Sequence, residues 1–328
     1  MNNVTTDNFS MCILKAPEGK NKGAMILSCV DNMVMRMPWL KERFYLIEAR
    51  HWRGLNDSNY ANIKLVEDLS LWEETNKMFP NAICLDISPA DFVDTYSFRP
   101  LGLVKEYAGI QISQWSDFKR PELFTKATGL LNKRKFLKLG HFENGGTYEE
   151  LRIRDKNKYL AKRLNANIDI IYKDAIDNKA FPDTKYEINM YINSAKIGIL
   201  TSAIEGVNRF KMECLSAGIP VLVPTDTSYP TKKHINNMTG SFFDPTPEQL
   251  AEKIEFTINN LERYDPREYV INNTGKINSI KKLKAALEKL CVRDGQDYIF
   301  DSIDWDGRNQ SLIWGRKALE ILNKYSNR

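Results

Sequence analysis

Two short apolar runs with a helical stretch between them place the tightest limit on what this chain can fold into. Residues 197–200 (Ile-Gly-Ile-Leu) suit a buried parallel strand, because a strand covered on both faces reads as a continuous apolar run. A polar turn holding Ser202, Glu205 and Gly206 follows. Helical spacing comes next, with Phe210, Met212, Leu215 and Ala217 available for packing. Gly218 is a helix C-terminal signal, and Pro220 cannot continue the helix. Residues 219–223 (Ile-Pro-Val-Leu-Val) then form a second buried run. The unit is strand–loop–helix–strand. Its loop faces the carboxyl ends of the strands, where open α/β sheets bind ligands.

Two carboxylates belong to that unit, Glu205 in the loop and Glu213 two helical turns on. A helix start presents free backbone N–H groups and a positive dipole end, which suits phosphate. Carboxylates accept hydrogen bonds from hydroxyls, so the pair is equipped to hold a polyol such as ribose or a hexose. The plainer reading makes Glu205 an ordinary loop residue and Glu213 a solvated helix residue.

The ordered context resembles a known family. Glu205, Glu213, the run Ser-Ala-Gly-Ile-Pro-Val-Leu-Val (216–223), Gly-Ser-Phe-Phe-Asp-Pro-Thr-Pro (240–247) and Gln-Leu-Ala-Glu-Lys-Ile (249–254) are similar to the donor half of retaining GT-B glycosyltransferases of the family 4 type. The resemblance implies an α/β fold of two Rossmann-like domains facing across a cleft, the N-terminal one reduced. It implies that Glu205 contacts the transferred sugar and Glu213 the ribose of the nucleotide. It assigns the basic pair Lys119 and Arg120 to the donor pyrophosphate, and places Gly140, Gly206, Asn208 and Arg209 among the nucleotide-sugar contacts.

Length and composition agree with two domains of ordinary size: 328 residues, 42% hydrophobic and 27% charged. No apolar run approaches the ~20 residues that span a bilayer. Residues 1–10 are polar and lack the apolar core of a signal peptide, so a cytoplasmic location is expected. Cys12, Cys29, Cys84, Cys214 and Cys291 are scattered and odd in number, which fits reduced thiols better than a disulfide frame or a zinc site. His51, His141 and His234 are far apart in sequence, against a histidine metal cluster. A net charge of +5 permits an anionic partner without demanding one.

In chain order, residues 1–22 read as an irregular or loosely attached arm. Residues 23–30 are a strand ending in Asp31-Asn32, and 44–47 a strand followed by His51, Trp52 and Arg53. Asp31, His51 and Arg53 are acceptor-side candidates, with a locally bonded histidine and a core tryptophan as the alternative. Residues 59–78 carry a helical pattern through Ile63, Val66, Leu69, Trp72 and Met78. Residues 82–87 read as a strand. Residues 86–100 resemble the GT-B crossover, which puts the domains at 1–100 and 101–275, with C-terminal helices over 276–328. Residues 109–113 open the second sheet. Pro121 suits the first turn of a helix behind Lys119 and Arg120. A lysine and an arginine at a helix entrance supply fixed positive charge beside backbone donors; two solvated charges are the alternative. Residues 136–139 are a strand running into Gly140, and Gly145-Gly146 lets backbone approach a ligand or simply bends. A charged helix over 148–164 has Leu151, Tyr159, Leu160 and Leu164 on its apolar positions and a basic outer face. Residues 168–172 are a strand and 185–194 a helix. Residues 247–261, 278–291 and 311–325 are amphipathic helices, the last returning to the amino half as in GT-B enzymes.

The resemblance therefore predicts a metal-independent, retaining glycosyltransferase, hexosyl or pentosyl, with a nucleotide diphosphate sugar such as a UDP-sugar as donor and no prosthetic group. The acceptor is a glycan or other envelope component. A bacteriophage-type DNA glycosyltransferase acting on a hydroxymethylated base, and a non-catalytic nucleotide-sugar binding module, stand as alternatives.

Overall fold

The computed structural model describes residues 10–49, 57–142, 146–172, 184–206, 208–307 and 313–326. The chain divides into two compact units, Met1–Phe92 with Thr274–Arg328, and Val93–Asn273. The first unit opens with β1 (Ser10–Lys15), β2 (Gly23–Leu27), α1 (Val30–Arg36), α2 (Leu40–Arg43), β3 (Phe44–Ala49), β4 (Ile63–Leu65), α3 (Trp72–Met78) and β5 (Ile83–Leu85). The second holds β6 (Tyr107–Gln114), α4 (Pro121–Leu130), β7 (Phe136–His141), α5 (Tyr148–Arg163), β8 (Ile168–Tyr172), α6 (Lys185–Asn193), β9 (Ala195–Ile199) and α7 (Arg209–Ser216). It continues through β10 (Val221–Pro224), α8 (Tyr229–Lys232), β11 (Gly240–Phe243), α9 (Pro247–Ile258) and α10 (Pro266–Asn273). The chain then returns to the first unit with α11 (Gly275–Asp294), β12 (Ile313–Trp314) and α12 (Gly315–Ser326).

The first sheet has the order β12-β1-β2-β3-β4-β5, parallel from β2 to β5, with β1 antiparallel to both β2 and β12. Its two faces follow from the two-residue period of a strand. Ala24, Ile26, Tyr45 and Ile47 pack on Ile280, Leu283, Leu287 and Leu290 of α11. The alternate residues Met25, Leu27, Phe44 and Leu46 pack on Val30, Met33 and Val34 of α1 and on Ala318 and Leu322 of α12. Every residue of β2 and β3 is buried, the pattern of strands covered on both sides.

The second sheet is wholly parallel, in the order β11-β10-β9-β6-β7-β8. The strand order reverses between β6 and β9, the switch point at which doubly wound sheets open a crevice at their carboxyl ends. One face of this sheet buries Phe136, Ile197, Ile199, Leu222 and Phe243 against Leu123, Phe124 and Ala127 of α4 and Leu250 and Ile254 of α9. The Phe98-Arg99-Pro100 segment is bound to α7 and α10. The Phe98 carbonyl accepts from Ser216 Oγ at 2.6 Å and Arg267 Nη1 at 3.2 Å.

Four sequence expectations need correction. The helix expected over 311–325 starts only at Gly315, because Ile313–Trp314 pairs with β1 as β12. Residues 10–15 of the supposed loose arm form β1, a full member of the sheet; residues 1–9 lie outside the described residues. Residues 59–78 are not one helix. Ile63–Leu65 pairs in parallel with Ile47–Ala49, and helix begins only at Trp72 after a 3₁₀ turn. A three-residue buried strand next to a short helix imitates helical spacing, and only the neighbouring strand separates the two. In α5, Tyr159 is 67% exposed, and the inward face is Ile153, Asn157, Leu160 and Ala161.

Candidate active site

The turn between β6 and α4 carries the basic pair. Asp117–Lys119 forms a 3₁₀ turn, Arg120 takes a left-handed conformation (φ 47°, ψ 52°), and Pro121 starts the helix. Proline suits that first position, where its missing N–H has no helical partner to lose. Hydrogen bonds tie this turn to the loop after β9. Thr201 Oγ1 donates to the Lys119 carbonyl at 2.6 Å, Gln111 Nε2 donates to Thr201 Oγ1 at 2.6 Å, and Ala203 N donates to the Phe118 carbonyl at 2.8 Å. The two loops on either side of the switch point are thereby held as one piece.

Within that piece Lys119 and Glu205 meet. Lys119 Nζ lies 2.6 Å from Glu205 Oε1, and both residues are buried, 9% and 5% exposed. Ser202 Oγ donates to the same carboxylate oxygen at 2.7 Å. Ser228 fixes the backbone of Glu205 from the far side: its Oγ accepts from Glu205 N at 3.2 Å and donates to the Glu205 carbonyl. Glu205 is thus no ordinary loop residue. Removing either member of such a pair leaves a buried charge uncompensated, at a cost of about 3–5 kcal/mol.

Arg120 goes elsewhere. Its guanidinium makes a bidentate pair with Asp226, at 3.0 and 2.6 Å, and lines a cavity of about 490 Å³ with Pro121, Lys126, Lys156 and Pro247. The sequence placed Lys119 and Arg120 on one anion. The structure brings only Lys119 to Glu205, and it gives Arg120 a carboxylate of its own.

The remaining donor-side candidates occupy the loop and helix that follow. Asn208 caps α7, its Oδ1 accepting from Lys211 N at 2.8 Å, which satisfies one of the free N–H groups of the helix start. Arg209 is the first residue of α7, half-buried. Gly206 is buried, and its carbonyl lies 3.4 Å from Thr231 Oγ1. Glu213 sits on the second turn of α7 at 5% exposure, which overturns its reading as a solvated helix residue. Lys211, between them, is buried and structural. Its Nζ donates to the carbonyls of Pro230, Thr231 and Lys233 at 3.3, 3.0 and 2.6 Å, gathering the end of α8.

Gly140 acquires a different physical reason from the one its sequence context offered. A Cβ built there would lie 2.2 Å from Trp115 Cε2, so the glycine makes room for an indole rather than for a ligand. Beside it, Lys138 is buried and bonded to Ser113, and burial pushes its amine well below the ordinary lysine value, with the Lys119 charge pushing it further. Burial, then Lys138 and Lys119, holds His141 down at about 4. Sequence reasoning missed Asp226, Ser228 and Lys138. A lysine in the middle of an apolar strand run, Phe-Leu-Lys-Leu, was the one available signal.

Of the residues expected on an acceptor side, Asp31 is occupied by its own chain. It accepts from Ser58 Oγ, from Asn59 N and Nδ2 at 3.0 and 3.1 Å, and from Tyr60 N at 3.3 Å. Burial pushes its carboxyl up, and those bonds outweigh the burial and hold it below its ordinary value. Asp31 therefore pins the 58–60 turn. His51 and Arg53 lie outside the described residues. Nearby, Glu48 and Lys64 form a buried pair at 2.9 Å, on adjacent strands β3 and β4. Among the described residues no group of three or more His, Cys, Asp or Glu side chains is placed to hold a metal ion, and no helix is long and apolar enough to cross a membrane.

No protein-family model matches the chain, and no curated protein does. Solved structures do. A sucrose-phosphate synthase from Thermosynechococcus elongatus is similar at a TM-score of 0.60 and 14% identity, over 80% of this chain and 71% of that one. Anabaena Alr3699/HepE in complex with UDP and glucose is similar at 0.60 and 12% identity, over 78% and 75%. A glycosyltransferase from Rickettsia africae is similar at 0.54 and 18% identity, over 74% and 70%. The chain has the α/β GT-B fold of these glycosyltransferases.

Proposed function

We propose that the protein is a glycosyltransferase that moves a sugar from a nucleotide diphosphate donor to an acceptor hydroxyl with retention of anomeric configuration. The observation that carries this reading is the buried Lys119–Glu205 pair, held between the loops after β6 and β9 where the strand order reverses. The UDP and glucose bound to the Anabaena neighbour support a UDP-sugar as donor. Lys119 is the cation for the β-phosphate. When a diphosphate arrives it competes with Glu205 for the amine, and the released carboxylate is free to accept hydrogen bonds from the sugar hydroxyls. As the C1–O bond breaks, charge builds on the leaving phosphate. A buried ammonium fixed beside it stabilises that charge without reorganising, so transfer proceeds without a metal.

Glu213 holds the nucleotide ribose, and the N–H groups at the start of α7, behind Asn208 and Arg209, face the phosphates. Arg120 joins the diphosphate only by leaving Asp226. The leaving phosphate takes the acceptor proton, so no separate base is assigned. The acceptor is a glycan hydroxyl; a DNA acceptor would instead reveal itself as duplex binding that weakens steeply with salt.

The test is replacement of Lys119 and of Glu205 by alanine, with donor hydrolysis and sugar transfer both measured. Each variant should lose about 10²–10³-fold in kcat, the cost of one preorganised electrostatic partner. Unchanged transfer and hydrolysis in both variants would refute the assignment.

A further inference from the structure

Lys138 stands on β7 as a buried amine that none of the donor-site roles above uses. It is 2% exposed. Its Nζ donates to Ser113 Oγ at 2.5 Å and to the Ser113 carbonyl at 3.3 Å, and it stands 5.0 Å from the centroid of the Trp115 ring. Both bonded partners are neutral, and among the described residues no carboxylate lies within ion-pair distance of it. An uncompensated buried ammonium is expensive, so such a group either gives up its proton or is completed by an anion.

Two further observations surround it. Gln111, its register partner on β6, has a buried Oε1 with no hydrogen-bond partner, and so has Nε1 of Trp115. The charged and titratable neighbours are few. Lys119 faces Lys138 from the turn after β6, with Glu205 bonded to it from the loop after β9; His141 faces it from the end of β7, and Glu150 of α5 faces His141. The nearest charge is therefore another cation, and the one acid at that cation is already engaged.

We propose that Lys138 is a positioning residue of the donor site, an amine that takes up a proton when an anionic diphosphate arrives beside Lys119, so that nucleotide binding is proton-linked through Lys138. The inference rests on the reading of Lys119 as the phosphate cation. In the free protein, burial and then the Lys119 charge push the amine well below the ordinary lysine value, and among the described residues no carboxylate stands beside it to compensate. A diphosphate that pulls Lys119 away from Glu205 brings negative charge beside the amine, which raises its affinity for a proton and draws a fraction of one from solvent. The added charge then works with Lys119 on the leaving phosphate. Because the complex binds more protons than the free protein, affinity falls as pH rises.

The experiment is titration calorimetry of the full chain with UDP, GDP and ADP in HEPES and in Tris, whose ionisation heats differ and neither of which is a phosphate. At about pH 8 the nucleotide phosphates are already ionised and His141 is neutral, so neither contributes protons. The wild type is expected to take up a measurable fraction of a proton per bound nucleotide. Lys138→Met retains volume in a buried site and should fold, as thermal unfolding will show. It is expected to take up none and to bind about tenfold more weakly, the equivalent of one pKa unit. Lys138→Gln serves where Lys138→Met does not fold. Wild-type binding without proton uptake, or equal uptake in the variant, overturns the inference and leaves the function standing. Failure of all three nucleotides to bind the wild type overturns the function, and the inference with it.

Discussion

At the scale of single residues, one left-handed step separates two cations that are adjacent in sequence. Lys119 ends a 3₁₀ turn and Arg120 turns the chain at φ 47°, so one side chain reaches Glu205 and the other Asp226. No pattern of residue types announces that divergence, because it depends on where two other loops bring their carboxylates. Gly140 makes a similar point with opposite sign. Its Cα is covered by the Trp115 indole, so Gly140→Ala should cost about 1–3 kcal/mol by overpacking, read as a lowered urea midpoint. His141 is pushed from its ordinary 6.5 down to about 4 by burial, then by Lys138 and Lys119. A histidine neutral in the fold but protonated when unfolded stabilises fully above about pH 6.5 and loses that contribution as pH falls toward 4. Urea midpoints between pH 7 and pH 4 should therefore fall less steeply in His141→Gln than in the wild type, where the paired carboxylates act in both proteins alike.

At the scale of elements, five of the six strands of the second sheet were legible as short, mainly apolar runs bounded by turn residues, whereas β11 was not read as a strand. The runs at 109–113, 136–139 and 168–172 fall within strands of the parallel sheet, and those at 197–200 and 219–223 overlap β9 and β10. β1 and β4 were not legible. The first is half-exposed along most of its length and flanked by polar residues, and the second has three residues whose period merges with the helix behind it. Helix ends were easier, since caps are local chemistry. Thr147 and Glu150 form a reciprocal capping box on α5, with Glu150 Oε2 accepting from Thr147 N at 2.9 Å. Thr147→Ala should destabilise the protein by about 1 kcal/mol, measured by chemical denaturation. Gly218, at φ +79°, is the left-handed residue after α7 that the Gly-Ile-Pro spacing called for.

At the scale of the whole molecule, the first unit is discontinuous, and its core depends on chain that arrives last. Ile280, Leu283, Leu287 and Leu290 of α11 cover one face of its sheet, and Ala318 and Leu322 of α12 help to cover the other. The second unit is contiguous and contains Lys119, Glu205, Asn208 and Glu213. A fragment of residues 93–273 should therefore fold alone and retain nucleotide diphosphate binding without transferring sugar. A fragment of residues 1–273 should expose the apolar face that α11 covers and aggregate or be cut there. Limited proteolysis and a UDP titration check both outcomes. The sequence alone determined the local chemistry: apolar runs that must be buried strands, proline and glycine that must start and stop helices, and an ordered set of donor-half residues around Glu205 and Glu213. The strands and the helix ends are set by side-chain volume, backbone freedom and spacing, which neighbours in sequence decide between themselves; the donor half is what the resemblance around Glu205 and Glu213 implies. Only the tertiary structure decided which charges meet. Lys119 with Glu205 and Arg120 with Asp226 are pairings between loops far apart in sequence, created by the order in which parallel strands assemble into a sheet, and the same order sets Lys138 beside the neutral Ser113 and Trp115.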